Sequence, residues 1–599
     1  MKATNQAFNF LQYVYEFFDS RAVYKAVTIL IVFFAFSITG CQQDIDDGLP
    51  QADPDNGGLQ LPDGFEAIVV ADSIGPAREL AINENGDIYV KLRRSFEEGS
   101  IVALRDTTGN GRADIIAKFD STHYDDGNFH TGLKLHNDYL YYTSNFHLMR
   151  YPMIPGELIP DTTRRDTIFS HPHNEIHEHQ SKALAIDNNG FAYIPLGAQS
   201  DNCAEMNRTP QSPGMDPCPY LDDHGAIWRV DADVTNQTTT DGGYRYVTGV
   251  RSMTAMNWNP VDEELYIVQH GRDYLYRFWP EHYTIWEEAM LPGEEFLKLP
   301  KDGVFSWPYC YYDQMQSRLV LAPEYGGDGE IIGRCDEFPE PILGFPGHFA
   351  PNHLEFYTAD QFPDHYKNGA FVALHGSYHR NPYPEAGYFV AFIPYNDGEW
   401  VSDSGWEVFA NGFAGVETIT STGDADHRPT GLAVGPDGSL YISDGVDGKI
   451  WRVMYTGDKD AFGEENLARM EEVKQTANNI RTPDEIEDNL RREETVDGQS
   501  IYATYCQACH QRDGSGIEGM FPSMIGSEWV TGDKDRLISV VIDGLSRAGA
   551  YDIPMPSFGD LTDEEVAEVL TYIRQNFEND ASEITPEEVQ EFRSGTQGD

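Results

Sequence analysis

Six copies of one strand–turn–strand pattern run through residues 60–455, and this repeat constrains the fold more than any other feature. Each copy has an alternating apolar segment, a polar turn that usually contains Gly, and a second apolar segment with Tyr or Phe. The copies begin at Glu79, Gly132, Ala183, Ala255, His353 and Gly431. Such turns are typical of β-hairpins, and a further strand follows each copy. One sheet of this kind cannot bury both faces, but six sheets stacked radially can. We therefore predict a mainly β chain with a six-bladed β-propeller at 61–455; a pair of β-sandwiches is the alternative.

The N-terminal residues have the pattern of an export signal. Arg21 and Lys25 precede an apolar segment, residues 26–36, which is shorter than a membrane span. The Thr-Gly-Cys sequence that ends at Cys41 resembles the lipobox of bacterial lipoproteins, in which the signal is removed before the cysteine and the thiol carries a lipid. We expect residues 1–40 to be a signal peptide and Cys41 to be lipidated. An uncleaved anchor helix is the alternative.

Charge restricts the partners of the chain. The sequence has 98 acidic and 42 basic side chains and a net charge of −56. Nucleic acid binding needs a basic face, so we expect no nucleic acid partner. Residues 41–60 are acidic and lack periodicity, and we interpret them as a flexible tether. Attachment to a membrane is expected through the lipid anchor, on the periplasmic side or at the cell surface.

Four of the seven cysteines form two local pairs. They are the cysteines that remain when Cys41, Cys506 and Cys509 are set aside, and an even number of such cysteines in an exported chain suggests disulfides. Four cysteines allow three connectivities, and we expect the local one, Cys203 with Cys218 and Cys310 with Cys335. Buried free thiols are the alternative.

The strongest chemical motif is Cys506-Gln-Ala-Cys509-His510. A Cys-x-x-Cys-His sequence in an exported chain is the attachment motif of a c-type haem. Cys506 and Cys509 are expected to bind the haem covalently, and His510 to be an axial ligand of the iron. A redox or zinc motif is the alternative, but no second ligand pair at similar spacing follows.

The sixth ligand of the haem iron is expected downstream of this motif. Met555 has proline on both sides, which favours an extended loop that presents a side chain rigidly. Thr562 and Glu565 then form a capping box before a helix with one apolar face. A Met loop followed by a closing helix resembles class I cytochromes c, and His/Met ligation raises the haem potential. Met520 and Met524 are the rival ligands.

Three segments complete the predicted organisation after the propeller. Residues 456–494 are charged and helix-prone, and we interpret them as a linker. Residues 495–580 are expected to form a small all-α cytochrome c domain. The acidic residues 581–599 are expected to be disordered.

Several local segments of the repeat region carry a family resemblance. They are HEHQSKALAIDNNGFAYIPLG, YVTGVRSMTAMNWNPVDEELYIVQHGRD, FSWPYCYYD, LEFYTADQFPDHYKNGAFVALHGSYHRNP and HRPTGLAVGPDGSLYISDG. Over about residues 62–455 the chain resembles sorbosone dehydrogenase-like quinoproteins, which are relatives of the soluble quinoprotein glucose dehydrogenase. The resemblance implies that pyrroloquinoline quinone (PQQ) lies on the central face of the propeller, that a calcium ion polarises the quinone, and that a histidine removes the proton of a sugar hydroxyl.

The resemblance also implies a catalytic base. His179, in the segment HQSKAL, matches the family histidine before the first strand of the third repeat. Histidine suits this role because its ordinary pKa is close to the working pH. His171, His173 and His177 are close by in the sequence and are the alternatives.

Cationic residues that face the PQQ carboxylates are implied in the same way. Arg78, in PAREL, and Arg251, in GVRS, match family positions that face the cofactor, and the planar guanidinium suits a carboxylate. His348, His375 and Arg428 come before a strand or end one at the same predicted face, and are further candidates.

The sequence departs from the family pattern at two places. Ser252-Met253 stand where the family often has Asn-Pro, and residues 270–273 read His-Gly-Arg-Asp instead of His-Gly-Pro. Gly271 and Asp273 offer oxygen ligands of the kind that calcium takes, but the calcium ligands are left open.

Two function classes follow. The first is an exported, lipid-anchored quinohaemoprotein that oxidises an aldose, or another sugar-like alcohol or aldehyde, at PQQ. Electrons would pass singly through the haem to a partner cytochrome or the respiratory chain, helped by the high local concentration of a tethered haem. The alternative, which the departures favour, is a propeller without PQQ that serves as a binding or scaffold module for a cytochrome electron relay.

Overall fold

The computed structural model describes residues 48–121, 131–171, 178–396, 398–401, 405–485, 497–517, 521–545, 555, 558–559 and 561–596. The chain divides into two compact units, Met1–Pro50 and Gln51–Asp599. The signal peptide and the lipidation site at Cys41 lie outside the described residues. Among the helices in these ranges, none combines the length and apolar character that a membrane crossing requires.

The second unit contains six four-stranded antiparallel sheets, which we call blades 1 to 6 in chain order of their first strands. The strands of blades 1 and 2 are Ala77–Ile82, Ile88–Leu92, Ile101–Arg105 and Ile115–Phe119, then Leu133–His136, Tyr139–Thr143, His147–Pro152 and Asp166–Ser170. Those of blade 3 are Ala185–Ile186, Phe191–Leu196, Ala226–Asp231 and Tyr244–Thr248, with Gly303–Val304 added in parallel.

The other three blades complete the ring. The strands of blades 4 and 5 are Ala255–Asn259, Glu264–Gln269, Glu294–Leu299 and Leu343–Phe345, then Pro351–Phe356, Ala370–Leu374, Phe389–Ile393 and Glu407–Ala410. Those of blade 6 are Pro429–Val434, Leu440–Asp444, Ile450–Tyr455 and Phe65–Ala71. Two small hairpins lie outside the blades, Cys310–Asp313 with Arg318–Leu321 and Tyr395–Asn396 with Glu399–Trp400. The predicted mainly β, six-bladed propeller is confirmed.

Blade 6 is built from both ends of the propeller sequence. Phe65–Ala71 pairs antiparallel with Ile450–Tyr455 and forms the outer strand of this blade. The ring of Phe65 packs edge-on against Phe362 and Phe409, with centroids 4.8 and 5.2 Å away. Such aromatic pairs add stability beyond the area that they bury. The closing strand is therefore held by side-chain packing as well as by its ladder.

One end of the propeller is defined by where the first strand of each blade begins. The first strands of neighbouring blades contact each other around the centre. The first and second strands of each blade run antiparallel, so each first strand begins where the second strand ends. We call this end the upper face.

The two predicted disulfides are confirmed. Cys203 is bonded to Cys218, and Cys310 to Cys335. Both close short loops, and a loop of this length is stabilised by about 3 kcal/mol in the chain-entropy account. They fix two long insertions, one after the second strand of blade 3 and one in blade 4.

The flexible tether predicted for residues 41–60 is wrong for residues 51–60. The carboxylate of Asp53 accepts a hydrogen bond from the amide of Val69 at 2.8 Å. The Gly57 carbonyl accepts one from Trp451 Nε1 at 3.0 Å. The acidic and turn-forming residues of this segment have partners on blade 6, which the composition alone did not reveal.

Short helices interrupt the blades. Two of them are α1 (Leu275–Phe278) and α2 (Ile285–Met290), both in an insertion of blade 4. Single turns of 3-10 helix are Asn56–Gly58, Pro219–Asp222, Pro323–Tyr325, Gly333–Glu337, Asp364–Tyr366, Tyr378–Arg380, Thr422–Asp424 and Lys459–Ala461.

The charged segment after the propeller packs on it rather than hanging free. Helix α3 spans Glu464–Thr476. Met470 on this helix and Ile480 after it are buried in the hydrophobic core shared by blades 4 and 5. The ammonium group of Lys474 lies 4.1 Å from the centroid of the Trp406 ring. The part of the predicted linker that the structure describes, up to residue 485, is thus held against the propeller.

The C-terminal domain is all-α. Its helices are α4 (Gly498–Tyr505), α5 (Gln507–His510), α6 (Glu528–Thr531), α7 (Lys534–Ile542), α8 (Asp563–Gln575) and α9 (Pro586–Thr596). The capping box of Thr562 and Glu565 is present at the start of α8. The predicted apolar face of α8, with Val566, Leu570 and Ile573, is buried in the core of the domain.

The disorder predicted for residues 581–599 is wrong for the part that forms α9. Val589 is fully buried, and Phe592 packs against the same core. Lys534 Nζ lies 2.6 Å from Glu588 Oε1, so a basic side chain of α7 offsets the local negative charge. The apolar pair Val589 and Phe592, three residues apart on the helix, and the charge of Lys534 stabilise α9 despite its acidic composition.

Candidate active site and the cytochrome contact

Four cationic or titratable side chains converge on the upper face because of their places in the blades. Arg78 lies at the start of the first strand of blade 1, and Arg93 directly follows its second strand. Arg428 directly precedes the first strand of blade 6, and His375 directly follows the second strand of blade 5. We call these four residues the cationic cluster.

Like charges act on each other in this cluster. Burial, and then the charges of Arg93 and Arg428, hold the pKa of Arg78 well below its usual value. Burial and Arg428 lower the pKa of Arg93 to about 10. Burial and the three guanidinium groups also hold the pKa of His375 well below its usual value. Buried cations that repel each other are stabilised by a bound anion.

The guanidinium groups of the cationic cluster differ in how far their hydrogen-bond donors are used. Arg428 donates to the backbone carbonyls of His375 and Gly376, at 3.1 and 2.6 Å, which orients its guanidinium. Arg78 Nε is buried and has no hydrogen-bond partner among the described residues. A group with several carboxylates is the kind of ligand that would satisfy such donors.

Arg251 belongs to a second cluster, in which cations and carboxylates are paired. Its Nη2 contacts Asp201 Oδ1 and lies 3.3 Å from Asp273 Oδ2. Arg208 bonds Asp273 at 2.9 Å and Glu178 at 2.9 Å. We call these five residues the ion-paired cluster.

The charges in the ion-paired cluster compensate each other. Burial alone would raise the pKa of Asp273, but His379, Arg208 and Arg251 hold it well below its usual value. Burial opposes the charge of Arg208 as well, yet Glu178, Asp201 and Asp273 hold the pKa of Arg208 well above its usual value. Asp273 and Arg208 therefore stay ionised although each side chain is only 13% exposed.

His179, the predicted base, lies beside this cluster. Its Nδ1 donates to the carbonyl of Ala198 at 2.9 Å, because a carbonyl can only accept. The lone pair of the neutral ring is therefore on Nε2. Burial, and then the charge of Arg251, lower the pKa of His179 to about 3. The ring is thus neutral over the whole physiological range, and its pKa lies well below the working pH on which the sequence-based prediction relied.

Three more histidines lie at the upper face, where His348 is buried and His270 and His379 are half-buried. His348 Nε2 donates to the carbonyl of Glu288 at 2.8 Å, and its ring lies 5.9 Å from that of His379. His379 Nε2 is 3.5 Å from Asp273 Oδ1. His270 Nε2 donates to the carbonyl of Pro351 at 2.7 Å.

The structure therefore divides the predicted site residues between two places. Arg78, Arg428 and His375 lie together in the cationic cluster. Arg251, His179 and His348 lie in or next to the ion-paired cluster. Both groups belong to the upper face, and each assigned role stays a prediction.

Four residues of the two clusters were missed from the sequence, namely Arg93, Arg208, Asp201 and Glu178, and so was His379 next to the ion-paired cluster. Arg93 had a usable signal, because it directly follows a second strand as His270 and His375 do. Asp201 and Arg208 come from the insertion that the Cys203–Cys218 disulfide closes. No strand pattern fixes where such an insertion lies.

The oxygens considered for calcium already have cationic partners. Gly271 O accepts from Arg251 Nη1 at 2.6 Å. The carboxylate of Asp273 faces Arg208 and Arg251. A calcium ion at these oxygens would have to displace a guanidinium, so these two residues do not form a ready calcium site.

The Cys-x-x-Cys-His motif has the geometry that haem attachment needs. Cys506 and Cys509 are not joined in a disulfide. His510 is buried, and its Nδ1 donates to the carbonyl of Pro522 at 2.9 Å. This hydrogen bond orients the ring and leaves the Nε2 lone pair for a metal, as a second-sphere contact to a ligating histidine does.

Two of the three candidate methionines lie in the core of the C-terminal domain. Met555 exchanges two backbone hydrogen bonds of 2.9 Å with Leu545, and its half-buried side chain packs against the core. Met524 is buried in the same core. Met520 lies outside the described residues. Met555 stays the predicted sixth ligand.

The C-terminal domain contacts the upper face of the propeller through its Cys-x-x-Cys-His helix. Gln511, just after α5, accepts hydrogen bonds from the hydroxyl of Ser421 and, at 3.1 Å, from the amide of Gly423. Gln507 Nε2 donates to the carbonyl of Thr420 at 2.8 Å. Both glutamines are buried. The loop that they contact joins blade 5 to blade 6.

Aromatic rings connect the ion-paired cluster to the C-terminal domain. The ring of His379 lies 4.2 Å from that of Tyr378 and 4.7 Å from that of Tyr274. Tyr378 in turn packs edge-on against Phe521 of the C-terminal domain, at 5.4 Å. Arg277 lies over Tyr274 at 4.5 Å and over Phe558 at 5.0 Å. The attachment motif and the ion-paired cluster thus meet at one buried interface.

Two family models match this chain. TrAA12-like matches residues 59–456. Cytochrome C oxidase, cbb3-type, subunit III, matches residues 493–573. The boundary between the two matches falls in the segment that contains α3.

Curated relatives match the two parts separately. The fructose dehydrogenase cytochrome subunit of Gluconobacter japonicus is 33% identical over 111 residues, 17% of this chain and 23% of the relative. Cytochrome c-552 of Thermus thermophilus is 37% identical over 114 residues, 16% of this chain and 86% of the relative. The pyrroloquinoline quinone-dependent pyranose dehydrogenase of Coprinopsis cinerea is 24% identical over 307 residues, 45% of this chain and 37% of the relative. The chain therefore spans about a quarter of the first relative and less than half of the third.

Solved structures share the propeller fold. A Trichoderma reesei protein of Carbohydrate-Active Enzymes Family AA12 superposes with a TM-score of 0.54 and 17% identity, over 66% of this chain and 98% of that one. The PQQ domain of Coprinopsis cinerea pyranose dehydrogenase, in its holo form, gives a TM-score of 0.52 and 17% identity, over 66% of this chain and 97% of that one.

Proposed function

The chain belongs to the TrAA12-like family, and we propose that it is an exported, lipid-anchored quinohaemoprotein dehydrogenase. Its substrate in this proposal is an aldose or another sugar-like alcohol or aldehyde. The propeller binds PQQ at the upper face, Cys506 and Cys509 attach one haem c, and the haem delivers electrons to a partner cytochrome or the respiratory chain. The relative from Coprinopsis that is named as a PQQ-dependent pyranose dehydrogenase supports the choice of cofactor and substrate class.

One observation carries this proposal. The helix with the Cys-x-x-Cys-His motif is seated on the same propeller face that holds the cationic cluster. An electron carrier placed there serves a redox site in the propeller, whereas a scaffold has no need of it. The buried guanidinium groups suit PQQ, which has three carboxylates.

When bound, PQQ supplies a two-electron acceptor for a hydride from an alcohol carbon, and haem c supplies a one-electron carrier. The residues of the chain bind, orient and move a proton. The cationic cluster holds the carboxylates. His179 Nε2 accepts the proton of the substrate hydroxyl, while the Ala198 carbonyl keeps the ring in the required tautomer. The ion-paired cluster fixes Arg251 beside this base.

Calcium binding together with PQQ is proposed without assigned ligands. The Gly271 and Asp273 oxygens are held by guanidinium groups. We expect added calcium to tighten PQQ binding through oxygen ligands other than these two. A PQQ titration with and without calcium measures this.

The function is tested with purified full-length protein that carries haem and is loaded with PQQ and calcium. A panel of aldoses and sorbosone is added to the oxidised protein, and the haem α-band is followed by stopped flow. Haem reduction that requires both PQQ and one sugar supports the proposal. If dithionite reduces the haem but PQQ does not bind, the propeller is a scaffold for a cytochrome relay.

The lipid anchor is tested on the N-terminal peptide of the membrane fraction. We expect mass spectrometry to find a peptide that begins at Cys41 and carries diacylglycerol. A Cys41→Ser variant should be released into the soluble fraction. An unmodified Cys41 in the membrane fraction of the wild type would instead indicate an uncleaved anchor helix.

Met555→Ala is expected to remove the sulfur-to-iron charge-transfer band of the oxidised haem and to lower its reduction potential. The reason is that a thioether ligand favours the reduced iron. Optical spectra and a redox titration measure both changes. Met524→Ala is the matched control, because Met524 lies in the same core. A normal spectrum for Met555→Ala together with an altered one for Met524→Ala would exchange the two roles.

Gln511→Leu is expected to slow reduction of the haem by the reduced cofactor at least tenfold. The change removes the acceptor of the Ser421 hydroxyl, and a buried unsatisfied donor costs about 1–3 kcal/mol. The Gly423 amide keeps the Ser421 oxygen as an acceptor at 3.3 Å. Transfer of electrons from the propeller to a soluble dye should be unchanged. Gln590→Leu, at an exposed position of α9, is the control. Equal haem reduction rates in the two variants would show that this contact does not govern the relay.

A further inference from the structure

We propose that His171, Asp223 and His224 bind one divalent transition-metal ion, such as Zn²⁺, and join blade 2 to blade 3. His171 directly follows the fourth strand of blade 2, whereas Asp223 and His224 precede the third strand of blade 3. One ligand atom from each residue lies within 4.8 Å of the other two. This site is separate from the proposed function and does not depend on it.

The donor set selects the kind of ion. Two imidazole nitrogens and one carboxylate oxygen suit zinc and its neighbours, whereas calcium prefers oxygen ligands throughout. Zinc–ligand bonds are about 2.1 Å, so two ligands of a tetrahedral ion are about 3.4 Å apart. Because the ligand atoms lie within 4.8 Å of one another, the widest pair has to close by up to about 1.4 Å. A water molecule can complete a four-coordinate site.

The backbone holds these ligands in place. The amide of His171 donates to the carbonyl of Phe146 at 2.8 Å, and the amide of His224 to that of Tyr220 at 2.9 Å. Trp228 Nε1 donates to the carbonyl of Asp223 at 3.0 Å. The 3-10 helix just before Asp223 begins after Cys218, whose disulfide fixes the insertion.

The two histidines of this site are buried, and the site is open to solvent at Asp223. His171 and His224 are 3% and 1% exposed, and their rings meet edge to face with centroids 5.0 Å apart. The side chain of Asp223 is 30% exposed, so an ion can enter past the carboxylate.

His224 and Asp223 face each other across a short contact. His224 Nδ1 and Asp223 Oδ1 lie 2.6 Å apart in a hydrogen bond. An ion bound by these two atoms would take the place of the proton between them, because metal ligands are deprotonated. His224 Nε2, on the far side of the ring, lies 3.3 Å from the side-chain amide nitrogen of Gln199, and this contact orients the ring.

The consequence is a cross-link next to the predicted base. Gln199 follows Ala198, whose carbonyl orients His179. An ion bound to His224 would fix this part of blade 3 against blade 2. We therefore expect the metal to raise the melting temperature of the propeller while leaving the haem spectrum unchanged.

The test uses full-length protein with haem attached, treated with a chelator and then titrated with ZnCl₂ by isothermal calorimetry. We expect one saturable site with a dissociation constant of about 1 µM or tighter. X-ray absorption at the zinc edge should show nitrogen and oxygen neighbours at about 2.0–2.1 Å and no sulfur. Millimolar calcium should not compete.

Variants assign the ligands. His171→Ala and His224→Ala are each expected to weaken zinc binding at least 100-fold, and Asp223→Asn at least tenfold. His282→Ala, at an exposed position between α1 and α2, is the control and should bind like the wild type. If an alanine variant fails to fold, judged by its haem spectrum and circular dichroism, His171→Gln and His224→Gln replace it. Absence of a saturable site in the wild type, or wild-type affinity in both histidine variants, would overturn the proposal.

Discussion

His179→Gln is expected to keep PQQ bound and to lose turnover by about 10³- to 10⁴-fold. A positioned general base contributes up to about 10⁴-fold to a rate, and glutamine keeps a donor for the Ala198 carbonyl while removing the basic nitrogen. Stopped-flow reduction of the cofactor by substrate measures the loss, and a PQQ fluorescence titration measures binding. His282→Gln, an exposed histidine, is the control. Full turnover in His179→Gln would assign the base to another residue.

The pH dependence gives a second test of His179. Because burial and the charge of Arg251 lower its pKa to about 3, the ring stays unprotonated as the pH falls from about 8 to 5. Its contribution to kcat/KM should therefore be constant over this window and should decline only near pH 3. A decline with an apparent pKa near 6.5 that vanishes in His179→Gln would contradict the burial that the structure shows.

Arg78→Met is expected to weaken PQQ binding by about 10²- to 10³-fold. Removing one partner of a buried charge pair costs about 3–5 kcal/mol, because the other charge stays buried without compensation. The affinity is measured by titration of the haem-containing protein with PQQ. Arg164→Met, at an exposed loop between the third and fourth strands of blade 2, is the control.

The same substitution should stabilise the protein when PQQ is absent. Burial, and then repulsion by Arg93 and Arg428, hold the pKa of Arg78 well below its usual value. A methionine of similar length removes this repulsion, so we expect the melting temperature of the PQQ-free protein to rise by a few degrees. Weaker PQQ binding with higher PQQ-free stability is the signature of a cationic site built for an anion. A fall in both quantities would show that Arg78 serves folding alone.

The repeat pattern allowed the fold to be predicted because strand alternation is a local property. A polar turn between two alternating segments marks each blade, with Asn-Gly or Asp-Gly in four of the six, and the six sheets follow from the number of these copies. The capping box at Thr562 and the apolar face of α8 were predictable for the same reason. Short-range geometry decides these elements.

The site was predictable only in part because some of its residues lie at the ends of blade strands and others lie in a long insertion. Arg78 and Arg428 lie at strand ends, and the strand register brings them together. Asp201 and Arg208 lie in an insertion whose path depends on a disulfide and on packing. Composition misled the interpretation of residues 51–60 and of α9, because Asp53 and Val589 each find tertiary partners.

The shared construction of blade 6 sets an order of events during synthesis. Phe65–Ala71 is made first, yet its partner Ile450–Tyr455 is among the last strands of the ring. Until then the early strand has an unpaired edge, which is prone to wrong pairing. The cytochrome domain emerges only after that partner, so it docks on a ring that is able to close. A chain truncated before residue 450 should therefore aggregate, whereas one truncated after α3 should keep a closed propeller.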